Sequence, residues 1–234
     1  MSKASPSFTA ISQQKASPND KASTGNLFVI SAPSGAGKTS LVNALVASDH
    51  NVKVAISHTT RIRRPEEVDG INYFFVDERQ FRRMSQNNEF LEWAHVFGSY
   101  YGTSSQEARR ILSSVHHLVL EIDWQGAAQI RAEMPHASSI FILPPSLGTL
   151  RDRLEKRAQD DDTTVQHRMN AAISEISHYS DFDYLLVNDN FDLALEEIAD
   201  IVNGHGEHLR IAIQKKRLKP LINELLHLEQ HPGR

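Results

Sequence analysis

The 234-residue chain contains no cysteine. Disulfides, thiolate nucleophiles and cysteine-ligated zinc are therefore excluded. No apolar stretch approaches the roughly 20 residues that span a bilayer as a helix. The N-terminal region has no apolar core of the kind a secretory signal carries. A dominant charge is missing too. The formal net charge is -4, which argues against a chain built mainly to coat nucleic acid or an anionic membrane. No internal repeat is found. The 12 histidines include the pair His116–His117 and the spacing His205-x-x-His208, but neither has carboxylate partners at a convincing metal-ligand spacing. The absence of cysteine and of an export signal favours the cytoplasm.

What is present is enough apolar material for a packed core: hydrophobic residues make up 40% and charged residues 23%. Residues 1–24 differ from the rest. Serine, lysine, proline, glutamine and asparagine dominate, with Phe8 and Ile11 the bulky apolar exceptions. Such a segment cannot offset its ordering entropy and is expected to be a disordered extension. A flexible tail is expected at 229–234.

From Asn26 onward the pattern alternates. Apolar runs at 27–31, 52–57, 117–123, 139–143 and 184–188 read as buried strands. Helical patterns lie between them. One starts at Gly37, with Leu41, Leu45 and Val46 on one face. Others cover 125–133, 147–157, 165–178, 191–203 and a C-terminal stretch, 207–228, in which Pro220 should kink or break the helix. Strands alternating with helices predict an α/β fold, a parallel five-stranded sheet covered on both faces in three layers. Two segments interrupt the rhythm. Residues 58–106 are too long for a simple crossover and predict an inserted mixed α/β subdomain, with a strand at 71–77 and a short helix at 77–87 turning Phe81 and Met84 inward. Residues 151–168 are charged throughout and read as a small mobile segment.

The stretch "SAPSGAGKTS" (31–40) follows directly on the first strand. Its spacing, Ala32-x-x-x-x-Gly37-Lys38-Thr39, is close to the phosphate-binding P-loop form, with alanine for the leading glycine. Successive backbone N–H groups can wrap an anion only where Gly35 and Gly37 spare it a Cβ, and the helix that follows points its positive end at the same anion. Lys38 is then suited to the β- and γ-phosphates and Thr39 to Mg²⁺. The loop, Ala32, Pro33, Ser34, Gly35, Ala36, Gly37, Lys38, Thr39 and Ser40, predicts a nucleoside triphosphate, with ATPases and GTPases both open.

Further motifs narrow the class. "SHTTR" (57–61), "EVDGINYFFV" (67–76), "FLEWAHVFGSYYGTS" (90–104), "EIDWQG" (121–126), "FILPPS" (141–146) and "DYLLVND" (183–189) follow the loop in order. With it they resemble the guanylate kinase family over about residues 26–215. The resemblance implies a kinase with ATP as donor and GMP or dGMP as acceptor, divided into a core (25–57, 107–150, 169–228), a GMP-binding insertion (58–106) and a lid (151–168). It implies that Ser57, Arg61, Arg64, Tyr73 and Tyr101 hold the GMP phosphate, and Glu92, Thr103 and Asp123 the guanine. Lys38, Arg64, Arg153, Arg157 and Arg168 would be catalytic, and Asn188 would lie near the adenine. The physical chemistry agrees: two arginines and two phenols suit a dianion, and carboxylates suit the N1–H and amino donors of guanine.

The sequence departs from the family at Glu121, where aspartate is commoner, and at Lys156 and Ala158, which replace glycines beside Arg157 in the lid. Glu121 is long enough to reach the Mg²⁺ water shell; its other reading is an ion pair with a loop cation. Two competing functions are a non-catalytic guanylate-kinase-like module that binds phosphopeptides and a P-loop kinase of a ribose phosphate. Intact Gly35, Gly37, Lys38 and Thr39 disfavour the first, and Glu92, Thr103 and Asp123 the second. Monomer and homo-oligomer are both compatible with the sequence.

Overall fold

A computed structural model describes residues 25–114, 116–157 and 162–226; the expected disordered extension at 1–24, part of the segment expected to be a lid (158–161) and the expected tail at 229–234 lie outside the described residues. In chain order the elements are β1 (Leu27–Ser31), α1 (Lys38–Ser48), β2 (Val52–Val54), β3 (His58–Thr59), β4 (Phe74–Phe75), α2 (Glu78–Gln86), β5 (Phe90–Val96), β6 (Ser99–Ser104), α3 (Ser105–Ser113), β7 (His117–Glu121), α4 (Trp124–Glu133), β8 (Ser138–Leu143), α5 (Leu147–Arg157), α6 (Asp162–Ile176), β9 (Tyr184–Val187), α7 (Phe191–Val202), α8 (Ile211–Arg217) and α9 (Lys219–Leu225). The expected five-stranded parallel sheet is present, in the order β2–β7–β1–β8–β9, and a second, mixed sheet has the order β4–β3–β6–β5.

The described residues fall into two compact units, one of residues 28–50, 121–124 and 138–226, the other of 25–27, 51–120 and 125–137. In the first, β1 pairs in parallel with β8 and β8 with β9. Parallel strands covered on both faces read as unbroken apolar runs, which is why "LFVIS" is buried at every position. Val29, Ile30, Ile140, Phe141, Ile142, Leu185 and Leu186 are all essentially inaccessible. Helix α1 buries Leu41, Val42 and Leu45, each worth about 1.5–3 kcal/mol relative to exposure. Val46, expected on that face, is only partly covered, and Val42 takes its place. The C-terminal pattern is three short helical pieces rather than one: a 3₁₀ turn at Gly206–Leu209, then α8 and α9. Pro220 stands in the first turn of α9, where its missing N–H is harmless.

In the second unit β2 pairs in parallel with β7, and β3, β6 and β5 form antiparallel pairs. Helix α2 buries Phe81 and Met84, as its spacing predicts, and Asp77 caps it by accepting from the Gln80 N–H. Several boundaries differ from the expectation. The strand predicted at 71–77 is only Phe74–Phe75, because residues 68–73 form turns closed by Gly70 N–H to Tyr73 and Asn72 N–H to Val68 carbonyls. Strand β2 stops at Val54 and β7 at Glu121, so Asp123 lies in the loop beyond β7 and does not share a strand face with Glu121. The β5–β6 hairpin and helix α3 are additional to the predicted set. The hairpin turns through Phe97 and Gly98, with φ of 48° and 75°, the sign that a two-residue type I′ turn requires at both centres.

Candidate active site

The loop between β1 and α1 has the conformation its glycines permit. Gly35 and Gly37 have φ of 88° and 91°, in the left-handed region that other residues occupy only at a cost. Space is also closed to a side chain: a Cβ on Gly37 would stand 2.4 Å from Asn188 Nδ2, and one on Gly35 3.0 Å from Leu150 Cδ1. Helix α1 then starts at Lys38 without a side-chain cap and without an acidic residue in its first turn. Helices α2, α3 and α7 are capped, by Asp77, Ser104 and Asn190. The amides at the start of α1 are thus left for an anion, with the helix dipole behind them.

Three groups hold this loop in shape. Asn188, buried at the end of β9, donates from Nδ2 to the Ala36 carbonyl at 2.7 Å. Glu175, from the last turn of α6, accepts from the Ser34 N–H at 2.9 Å. Leu150 and Leu154 of α5 lie against Gly35. Arg153 of α5 donates through Nη2 to the Asn188 carbonyl at 3.2 Å, and its Nη1 is buried with no hydrogen-bond partner among the described residues. Burial pushes the Glu175 carboxyl above the usual carboxylate range; the Ser34 N–H and the Lys38 charge act against that rise, and Asp123 adds to it.

Lys38 and Thr39 converge on the end of β7. Lys38 Nζ donates to the Ile122 carbonyl at 3.2 Å and lies 3.9 Å from Glu121 Oε1. The Thr39 hydroxyl donates to the same carboxylate oxygen at 2.5 Å. Glu121 thus lies within ion-pair distance of a loop cation, Lys38, and accepts from the Thr39 hydroxyl. A hydroxyl and a carboxylate are hard oxygen donors of the kind Mg²⁺ takes. Arg168 lies on α6, seven residues before Glu175 and so on the same helical face. Arg157 closes α5, and its side chain falls outside the described set, as does Ala158.

The second unit brings together seven of the eight residues expected to hold the acceptor. Ser57 Oγ and Thr103 Oγ1 are 3.1 Å apart. Thr103 stands opposite Glu92 in the β5–β6 ladder, and both are buried, Glu92 at 3% exposure. Tyr73 and Tyr101 meet edge to face, with centroids 6.0 Å apart. The Arg61 guanidinium lies 5.6 Å from the centre of the Tyr73 ring, and Arg64 is on the same loop. The eighth residue, Asp123, belongs to the unit that carries the phosphate loop, where its charge acts on Glu175.

Glu67 was not among the predicted site residues, yet it organises both arginines. Its Oε1 accepts from Arg61 Nη2 at 2.6 Å and its Oε2 from the Arg64 backbone N–H at 2.9 Å. The Arg64 guanidinium lies 3.7 Å away. Arg61 also donates through Nη1 to the Ile62 carbonyl. Burial alone would raise the Glu67 pKa, but the bonds from Arg61 and Arg64 and their charges outweigh it, and the carboxyl is held below its usual range. Burial likewise disfavours the Arg61 charge, and its bonds with Glu67 and Tyr101 raise its pKa regardless.

A parallel α/β sheet whose first strand runs through a glycine-bent loop into an uncapped helix, with lysine and threonine at its start, defines a P-loop protein of the nucleotide-binding kind. Comparison with known proteins narrows that class. The guanylate kinase family model matches residues 24–205. A guanylate kinase of Pseudomonas fluorescens (strain Pf0-1) is 51% identical over 204 residues, covering 87% of this chain and 98% of that protein. One of Methylococcus capsulatus (strain ATCC 33009 / NCIMB 11132 / Bath) is 52% identical over 202 residues, covering 86% and 98%. The crystal structure of guanylate kinase from Anaplasma phagocytophilum is similar with a TM-score of 0.66 at 31% identity, covering 84% of this chain and 95% of that one. The chain belongs to the guanylate kinase family.

Proposed function

We propose that this protein transfers the γ-phosphoryl group of MgATP to GMP or dGMP, giving ADP and GDP or dGDP. The observation that carries the reading is the buried Glu92–Thr103 pair on the same small sheet as Tyr101. Guanine offers N1–H and an exocyclic amine to such a carboxylate. Adenine has no N1–H and would leave a buried carboxylate short of a donor, at a cost of about 1–3 kcal/mol. Asp123 is assigned to the guanine as well. Ser57, Arg61, Arg64, Tyr73 and Tyr101 receive the acceptor phosphate, whose two negative charges match the guanidinium and hydroxyl donors.

The chemistry asks little of the protein beyond placement. An acceptor phosphate oxygen is already an anionic nucleophile. It forms the new P–O bond to the γ-phosphorus as the bond to the β,γ-bridging oxygen breaks, and ADP leaves with that electron pair. A general base is unnecessary. The phosphate loop, Ala32 to Ser40, holds the donor through its amides. Lys38 follows the β- and γ-phosphates, and Arg64, Arg153, Arg157 and Arg168 neutralise charge as it shifts. The buried Nη1 of Arg153 supplies a donor suited to a phosphoryl oxygen. Thr39, with Glu121 through water, would hold Mg²⁺, and the ion when bound offsets charge on the β- and γ-oxygens. Asn188 acts through the loop, since its amide nitrogen is committed to Ala36.

Residues 58–106 serve as the acceptor-binding insertion and 151–168 as the lid, on a core of 25–57, 107–150 and 169–228. Among the described residues no helix is long and apolar enough to cross a membrane, and we assign the protein to the cytoplasm. Two readings are disfavoured: a non-catalytic module, because Lys38 and both left-handed glycines are intact, and a ribose-phosphate kinase, because Glu92 and Thr103 are buried as a pair. A crystal soaked with GMP tests the proposal. The phosphate is expected beside Arg61 and Tyr101 with the base at Glu92; a phosphate bound elsewhere would overturn it.

A further inference from the structure

Glu175 is a half-buried carboxylate to which neither the sequence motifs nor the proposed transfer gives a task. Its surroundings are specific. It accepts from the backbone N–H of Ser34, in the middle of the phosphate loop. It sits one residue before the end of α6, where the neighbours Ala172 and Ile176 are fully buried, so the helix cannot slide without loss of core packing. One turn beyond, His178 stacks flat on Trp124, with rings 3.6 Å apart and 5° from parallel. That stack fixes the end of α6 against the segment whose Ile122 carbonyl receives Lys38. Arg168 shares the helical face of Glu175, about 10 Å away along the axis.

Amides that face an anion in such a loop are useful only if the remaining amides are satisfied and the loop is held still. Ser34 has its acceptor on α6, Ala36 has its donor on Asn188, and Gly35 has Leu150 and Leu154 of α5 against it. The Glu175 bond is the one that links the loop to the helix bearing a lid arginine. We propose that Glu175 is a positioning residue that keys α6, and with it Arg168, to the phosphate loop, so that the loop is pre-shaped for the donor triphosphate. This inference rests on the kinase reading for the identity of the donor.

The test compares Glu175→Gln, Glu175→Asp and Glu175→Ala in the full chain. ATP and GMP affinities are measured separately by calorimetry, and KM and kcat in a coupled assay. Glutamine keeps an acceptor at the same reach; aspartate keeps the charge but is one methylene too short. Kd and KM for ATP are expected to rise about tenfold in the aspartate and alanine variants, the effect of one lost hydrogen bond to a charged group. The glutamine variant should stay within about threefold of the natural protein, and GMP binding within about twofold in all three. Unchanged ATP affinity in Glu175→Asp and Glu175→Ala would overturn the proposal. So would a glutamine variant as impaired as the alanine one, or ATP and GMP affinities falling together. Should alanine prevent folding, the contrast between glutamine and aspartate decides alone. A natural protein that binds ATP but leaves GMP unphosphorylated would count against the kinase reading, while the ATP affinities still decide this one.

Discussion

The side-chain amide of Asn188 donates a 2.7 Å hydrogen bond to the carbonyl of Ala36, joining the end of β9 to the phosphate loop across 152 positions of sequence. Both residues are buried, so neither group has water as an alternative. Asn188→Leu removes the donor and leaves the carbonyl unpaired, which costs about 1–3 kcal/mol. Denaturant unfolding should show that loss as a lower midpoint with an unchanged slope, and affinity for ATP should fall with it while GMP affinity holds.

Gly37 should be intolerant of the smallest side chain. Its φ of 91° is strained for alanine, and the added Cβ would stand 2.4 Å from Asn188 Nδ2. Gly37→Ala must either shift the loop or break the bond to Ala36, at about 1–3 kcal/mol for the backbone alone. Calorimetric titration with ATP should show binding weakened at least about tenfold.

Lys38→Ala should abolish turnover and spare GMP binding. The ammonium group makes its contacts within the phosphate-loop unit, with Ile122 and Glu121. A coupled assay and a GMP titration on the same sample check this; equal loss of both would reassign the lysine to the fold.

Glu67 predicts a pH dependence. Its folded-state pKa lies below the ordinary carboxylate value, so the stability it contributes is complete above that value, about 4.3. That stability declines as pH falls through this value and is gone below the lowered folded one. The stability difference between the natural protein and Glu67→Gln should therefore be constant at neutral pH and vanish in acid. Thermal unfolding of both proteins from pH 7 to pH 3 measures it. A difference that grows toward low pH would contradict the role given to Arg61 and Arg64.

Much of this arrangement was legible in the sequence, for identifiable reasons. The phosphate loop is local: strand, glycines, lysine and helix follow one another within fifteen or so residues, and the dihedrals at Gly35 and Gly37 follow from their residue type. The parallel strands are legible because burial on both faces removes polar residues from them. Helix α3 left a signal that went unread, since Ser104 followed by Glu107 is a capping pair, and the serine does accept from the Glu107 N–H. The β5–β6 hairpin left less. Its turn uses Phe97 at positive φ, a residue that rarely adopts that region, and a bulge between Phe90 and Glu92 breaks the alternation. Glu67 and Glu175 left none. Each is one glutamate among many, and only the fold shows that one grips two arginines and the other a loop amide.

The central claim is that the acceptor is a guanine nucleotide monophosphate. The most direct measurement is ADP release in a coupled assay with MgATP and, in turn, GMP, dGMP, AMP and a ribose bisphosphate. Turnover is expected with GMP and dGMP and not, above background, with AMP or the ribose bisphosphate. Comparable turnover with AMP, or none with GMP, would contradict the account.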